Sequence, residues 1–431
     1  FQFADTLSYT AGRHNFKFGG DLRAPMRNIY LDIPAMRGDM SFTGQFTGNP
    51  LADFLLGYVG QAQTSVFTQV DQRLWMLSFF AQDDWKVTPL LTLNLGLRYD
   101  FATWPYEGAN RMANLDPATG QLIFASDGSL ADRTLIKTDK NNFAPRIGIA
   151  YQLDEKTVLR TGYGRFYQLF ERAGSEDQLA LNPPFLINVA VSTSSRNDPI
   201  FLLEDGFPAS FRDPASLDLS RIRLRAVNPD SVMPTVDHWN FGIQRLFPGD
   251  ILATADYVGT KGTHLSVLRN LNQVDFATRQ LPFPNLGVIE FRDNAVNSTY
   301  HGLELTVEKR FGQGLSLRSA YTYSKSIDQA QEHLFGGGSN SFLQNSRDLR
   351  QQRGLSDFDY RHRYVLSYVY ELPFGAGRPY LEKGVGAYLL GGWRMSGIFS
   401  HRSGRPFTVF ASGNNAFVGA FANALCHALS S

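Results

Sequence analysis

Residues Leu91–Phe101 read LTLNLGLRYDF. Leu91, Leu93, Leu95, Leu97, Tyr99 and Phe101 fall on one side of an extended chain; Thr92, Asn94, Gly96, Arg98 and Asp100 fall on the other. Successive side chains of a strand point to opposite faces, so this period of two predicts a strand with one apolar and one polar face. The stretch is about twice the usual 5–6 residues of a strand in a soluble protein.

The same alternation recurs along the chain. It is clear in Leu303–Phe311, Leu315–Ser324, Tyr364–Leu372 and Trp393–Arg402. Weaker copies lie at Phe3–Thr10, Asn15–Arg23, Gln61–Val70, Leu74–Val87, Arg146–Leu153, Thr157–Tyr167, Trp239–Phe247 and Ile251–Gly259. This gives roughly 13 candidate strands. Tight turns rich in Gly, Pro and Asp join some of them, at Thr10–His14, Thr88–Leu90, Asp154–Lys156, Pro248–Asp250 and Gly312–Gly314. Long segments join the others: Ala24–Gly60, Ala102–Asn142, Gln168–Val236, Thr260–Ser298 and Ser326–Tyr360. Short turns on one rim and long loops on the other are the asymmetry of an outer-membrane barrel.

Aromatic placement points the same way. Trp75 and Trp85 share one face of Leu74–Val87. Ten residues at about 3.4 Å, tilted by about 45°, climb roughly 24 Å along a membrane normal. That matches an apolar band of about 25 Å between aromatic girdles. Tyr99 and Phe101 reach the long-loop rim, and Trp393 is a further girdle candidate. A bilayer core offers no water to the backbone, so such strands belong to a closed wall. The predicted fold class is an all-β, transmembrane antiparallel β-barrel with long extracellular loops. Residues 1–410 form the partial barrel, and 411–431 form a tail without strand pattern. A soluble β-propeller or β-sandwich is the competing architecture. Propeller blades repeat about every 40–50 residues with short strands, whereas these repeats are irregular and long.

Composition narrows the function. Lys+Arg number 41 against 40 Asp+Glu, a net charge of +1 that leaves no electrostatic footprint for nucleic acid. The single cysteine, Cys426, excludes a disulfide scaffold and a cysteine zinc site. No apolar run approaches the ~18 residues of a membrane helix. Phe1 onward carries no signal-peptide pattern, and the start reads as a fragment. There is no HExxH, no phosphate-binding GxxxxGK[ST] and no GxSxG turn. Gly336–Gly338 lacks the strand-to-helix setting of a dinucleotide site and reads as loop. Asp357, Asp359 and His362 are a weak metal candidate; the plainer reading is a strand start at the rim. His14, His238, His264, His301 and His401 show no ligand spacing. Glu304, Glu308, Arg310 and Arg318 read as cross-strand pairs lining the lumen, with substrate contact as the alternative. Asp83 and Asp84 read as lumen or rim charges rather than an acid–base pair. The expectation is therefore no enzyme, no cofactor and no metal. Loop aromatics Phe185, Phe201, Phe207 and Phe211 are the candidate substrate-contacting residues, against loop self-packing.

Several stretches together resemble one family. Phe80–Tyr99, FAQDDWKVTPLLTLNLGLRY, is similar to the strand–turn–strand signature of TonB-dependent outer-membrane transporters, in particular the Oar-like branch with a carboxypeptidase-regulatory-like domain. Gly12–Arg23 (GRHNFKFGGDLR), Leu51–Gly57 (LADFLLG), Ser356–Gly375 (SDFDYRHRYVLSYVYELPFG) and Gly391–Phe407 (GGWRMSGIFSHRSGRPF) resemble the same branch. The resemblance implies a barrel of about 22 strands, an internal plug and a TonB-contacting segment. No plug or regulatory domain is recognisable here. The end, AFANALCHALSS, lacks the terminal aromatic residue that the family shows. The chain is thus expected to be a central barrel piece, in the bacterial outer membrane. Its expected partners are membrane lipid, a bulky solute and, through a plug outside this chain, the TonB complex. A passive porin or adhesion barrel is the alternative, and a soluble carbohydrate-binding or hydrolytic protein is a third.

Overall fold

The computed structural model describes residues 1–29, 35–169, 179–211, 213, 217–312, 314–330, 343, 345–407, 409–412 and 423–426. Alternation becomes a wall of twelve strands. They are β1 (Gln2–Ala11), β2 (His14–Arg23), β3 (Met76–Thr88), β4 (Leu91–Ala102), β5 (Phe143–Asp154) and β6 (Thr157–Tyr167). They continue as β7 (Thr235–Phe247), β8 (Ile251–Asn270), β9 (Ile289–Gly312), β10 (Leu315–Asp328), β11 (His362–Glu371) and β12 (Arg394–Arg402). Spatial order follows chain order, and every neighbouring wall pair is antiparallel.

Register keeps the two faces distinct across the wall. Phe79 sits opposite Tyr99, Leu95 opposite Ile147, and Leu305 opposite both Ala255 and Tyr321. A slip of one residue would put these apolar rows on the polar side. Leu93, Leu305 and Tyr368 lie on the apolar face, and none is buried in the protein. The tight turns close one rim. Gly12, at φ +58, supplies the left-handed conformation that the two-residue β1–β2 hairpin requires.

Twelve of the candidate strands lie in the wall. Gln61–Val70 does not. Its strand, Gln61–Phe67, is the middle of a separate sheet between Asp39–Ser41 and Leu186–Ser192. Both of its faces contribute buried residues, including Ala62, Thr64 and Ser65. Among the described residues, the long segments also carry more regular structure than their composition suggests. Thr260–Ser298 is largely strand, because β8 and β9 run on past the apolar band to Asn270 and from Ile289. Alternation fails there because Val267, Leu268, Ile289, Phe291 and Val296 are all buried. Leu224–Val227 adds a short parallel partner to β9.

The apolar core therefore lies above the wall. One cluster joins Leu74, Trp104, Met112, Ile136, Leu179 and Leu186; the other joins Leu115, Leu224, Ile289 and Phe291. The long loops form a packed cap over the rim. Across the boundary drawn at residue 410, Val409–Ser412 pairs with Asn423–Cys426 as a two-stranded ladder separate from the wall.

Candidate functional site

The polar face of the wall is the first element of the site. Arg318 Nε lies 3.0 Å from Glu308 Oε1, across β9 and β10. Asp84 accepts from Asn94 Nδ2 at 2.7 Å and Gln82 Nε2 at 3.0 Å, with Lys17 Nζ at 3.6 Å. Asp100 accepts from Ser78 Oγ at 2.6 Å and Arg98 Nε at 2.7 Å. Asp256 and Glu304 stand opposite one another in register on the same face. A hollow of about 310 Å³ lies on this face, lined by Gln82, Asn94, Arg146, His238 and Asn240 around Gly148 and Gly162. A side chain at Gly162 would meet Asn240 Oδ1 at 2.9 Å, so the missing Cβ keeps the floor open. Arg146 is braced over the Phe166 ring at 4.6 Å. Such a surface offers hydrogen bonds and charge to a passing or packed polar group.

The cap is the second element, and buried polar side chains organise it. Asn182 Nδ2 donates to Ala113 O and Arg225 O at 2.7 Å each, and its Oδ1 accepts from Arg225 N at 2.9 Å. Asn114 bonds both the N–H and the carbonyl of Val227. Asn272 Nδ2 donates to the carbonyls of Phe283, Leu286 and Gly287. Each amide replaces ladder bonds that irregular backbone leaves open. Asp53 anchors the helix Pro50–Leu55 by accepting from Thr47 N and Thr47 Oγ1. Its burial favours the neutral acid, but these bonds hold its carboxyl below the usual range. Glu107 is fully buried and accepts from the N–H groups of Asp71, Ala109 and Arg111. The Arg111 guanidinium reaches it at 2.5 Å. Burial works against its ionisation, but the Arg111 and backbone bonds prevail and lower it to about 2. Asp53 lies within the LADFLLG stretch, but Asn114, Asn182, Asn272 and Glu107 carry no sequence signature, because an isolated Asn or Glu among loop residues has no period.

Phe201, Phe207 and Phe211 converge, with ring centroids 5.5–6.5 Å apart. They are half-buried against one another rather than freely displayed. Phe185 stands apart from them and packs edge-on to Phe124 at 6.3 Å. Among the candidate girdle residues, Trp75 donates to Tyr106 Oη at 3.3 Å at the cap rim. Trp85 stacks on His14 at 5.2 Å near the tight turns. Tyr99 packs on Phe143 at 5.0 Å, Phe101 faces Leu77, and Trp393 Nε1 donates to Leu389 O at 2.9 Å.

Adjacent acids split between the faces. Asp84 takes the polar one, whereas Asp83 sits opposite Phe16 and Leu95 on the apolar one, 2.7 Å from His14 Nδ1. Asp359 is buried and accepts from Ser326 N, while His362 Nδ1 pairs with the Tyr321 hydroxyl on the apolar face. These two do not converge on a common point. Among the described residues, no group of three His, Cys, Asp or Glu is placed to hold a metal ion. Gly336–Gly338 lies outside the described residues.

No curated protein matches the chain in sequence. Among solved structures, it is similar to the outer membrane transporter YddB from Escherichia coli at 13% identity, covering 86% of this chain and 39% of that one, with a TM-score of 0.46. It is similar to FpvA of P. aeruginosa, solved with heterologous pyoverdines, at 11% identity, 96% and 39% coverage, and a TM-score of 0.44. For the FrpB iron transporter from Neisseria meningitidis the values are 12%, 85% and 39%, and 0.40. The chain thus spans about two-fifths of the length of these structures. The family described as "Outer membrane beta barrel domain" matches residues 1–428. The chain belongs to that family, its place is the outer membrane, and the apolar face of its wall is the face that meets lipid.

Proposed function

We propose that this wall and cap are the barrel portion of a TonB-dependent transporter of the Oar-like branch, carrying a bulky solute across the outer membrane. One observation carries the reading. A polar inner face stands beneath long loops that are built into a cap with its own apolar core. A cap of that kind offers a shaped capture surface, and the aromatic trio Phe201, Phe207 and Phe211 lies within it. The five stretches that resemble the Oar-like branch support that part of the reading. Passage would be gated by a plug supplied by the full-length protein, with energy delivered through TonB.

The test is ion conductance of the full-length protein in a planar bilayer, together with binding of the periplasmic domain of TonB. A plugged transporter shows no steady open-channel current in potassium chloride and retains TonB. Steady current without TonB binding would overturn the reading in favour of a passive porin.

A further inference from the structure

We infer that the segment Tyr380–Trp393 is an interfacial anchor, whose short helix lies in the headgroup region of the periplasmic leaflet of the outer membrane. It joins β11 to β12 on the rim where the other wall hairpins close in two or three residues. Instead of a turn, 22 residues (372–393) leave the wall there and fold into the helix Val385–Leu390.

Among the described residues, none covers the apolar side of this helix. Within the helix, Val385, Tyr388 and Leu389 follow the i, i+3, i+4 spacing of a single face. Tyr388 is 89% exposed and Val385 is 75% exposed. Val385–Leu390 contains no charged residue; Glu382 and Lys383 stop just before it.

The root of the segment fixes which way that face looks. On the polar side of the wall, Glu371 holds Arg378 at 2.6 Å and Arg394 at 2.7 Å. On the lipid side, Leu372 N donates to Trp393 O at 2.9 Å, and Trp393 Nε1 donates to Leu389 O, tying the helix end to a lipid-facing indole. Gly375 and Gly391 meet at the base so closely that a Cβ on Gly375 would lie 2.6 Å from the Gly391 Cα. The pinch leaves the helix little freedom to swing away. The Trp393 indole thus links the helix end to the apolar row of the wall that begins at Met395, opposite Tyr370. The occupant that this geometry fits is phospholipid, with Trp393, Tyr380 and Tyr388 at headgroup level, where amphipathic rings settle.

The test is site-directed spin labelling of the full-length protein in phosphatidylethanolamine–phosphatidylglycerol vesicles. Tyr388→Cys and, separately, Val385→Cys are labelled in a Cys426→Ser background. Leu305→Cys serves as the lipid reference and Glu155→Cys, in a tight turn of the same rim, as the water reference. Both helix labels are expected to collide with oxygen more than with a nickel chelate, at about 5–10 Å below the phosphates, the depth of interfacial helices. Accessibility to nickel matching Glu155 would overturn the inference, because the helix would stand in water. Protection from both reagents would also overturn it, because protein would then cover the face.

Discussion

Leu305 and Leu224 are the same residue in the same kind of backbone, with opposite surroundings. Leu305 stands on the wall, 38% exposed to what is lipid in the membrane. Leu224 is wholly buried in the cap, among Leu115, Ile289 and Phe291. The contrast holds for the regions around them. The wall displays Phe79, Leu97, Phe241 and Leu305 and is held by its ladders, since lipid tails are as apolar as leucine and reward no apolar core. The cap stands in water and is held by burial, as any soluble domain is. A single chain thus folds by two rules, and the boundary between them crosses β8 and β9 partway along their length.

The largest expected effect comes from truncating both leucines in the full-length protein in vesicles. Leu224→Ala leaves a cavity and should cost about 2–5 kcal/mol. Leu305→Ala loses only transfer free energy, about 2 kcal/mol or less, because lipid tails fill the space. Hydrogen exchange separates the two: Leu224→Ala should speed exchange in Leu224–Val227 and the facing Ile289–Arg292 ladder while leaving β3 and β4 unchanged. Equal costs, or exchange spreading into the wall, would break the two-rule account.

The same boundary governs how much the sequence reveals. Leu91–Phe101 is legible because one face meets lipid and the other a polar lumen, which forces a period of two. All twelve wall strands carry that signal. Gln61–Phe67 misleads because it buries residues from both faces in the cap, so its alternation says nothing about membrane. The upper parts of β8 and β9 are strand without alternation for the same reason. Asn114, Asn182 and Asn272 act through backbone groups brought from far along the chain, a relationship that no local spacing encodes. Among the loop aromatics, loop self-packing is foreseeable from the sequence, but not that Phe201, Phe207 and Phe211 meet one another while Phe185 packs on Phe124.

Acid should sharpen the contrast next. Glu107 is ionised and bonded in the folded cap, with its pKa lowered from 4.5 to about 2. A carboxylate depressed in this way contributes stability that is fully present above the unfolded value near 4.5. That contribution is lost as the pH falls toward about 2. Proteolysis of the cap should therefore accelerate between pH 4.5 and 2 while the wall stays intact. Glu107→Gln should weaken the cap at neutral pH by about 1.5–3 kcal/mol, the range for hydrogen bonds to a charged group. It should also flatten the acid dependence. A variant that keeps the full acid response would assign it to other carboxylates.

The smallest effect belongs to the inner face of the wall. Glu308 and Arg318 pair across strands with their side chains 41% and 67% exposed. An ion pair so open to solvent is worth about 0–1 kcal/mol and fades with salt. Arg318→Ala should accordingly change unfolding in urea by no more than that, and by less in high salt. The comparison becomes informative when made in the full-length protein. Partial burial strips water from both ions, and leaving Glu308 without a partner would then be costly. A penalty well above about 1 kcal/mol, insensitive to salt, would mean that protein covers this part of the lumen. A small, salt-sensitive one would mean that water does.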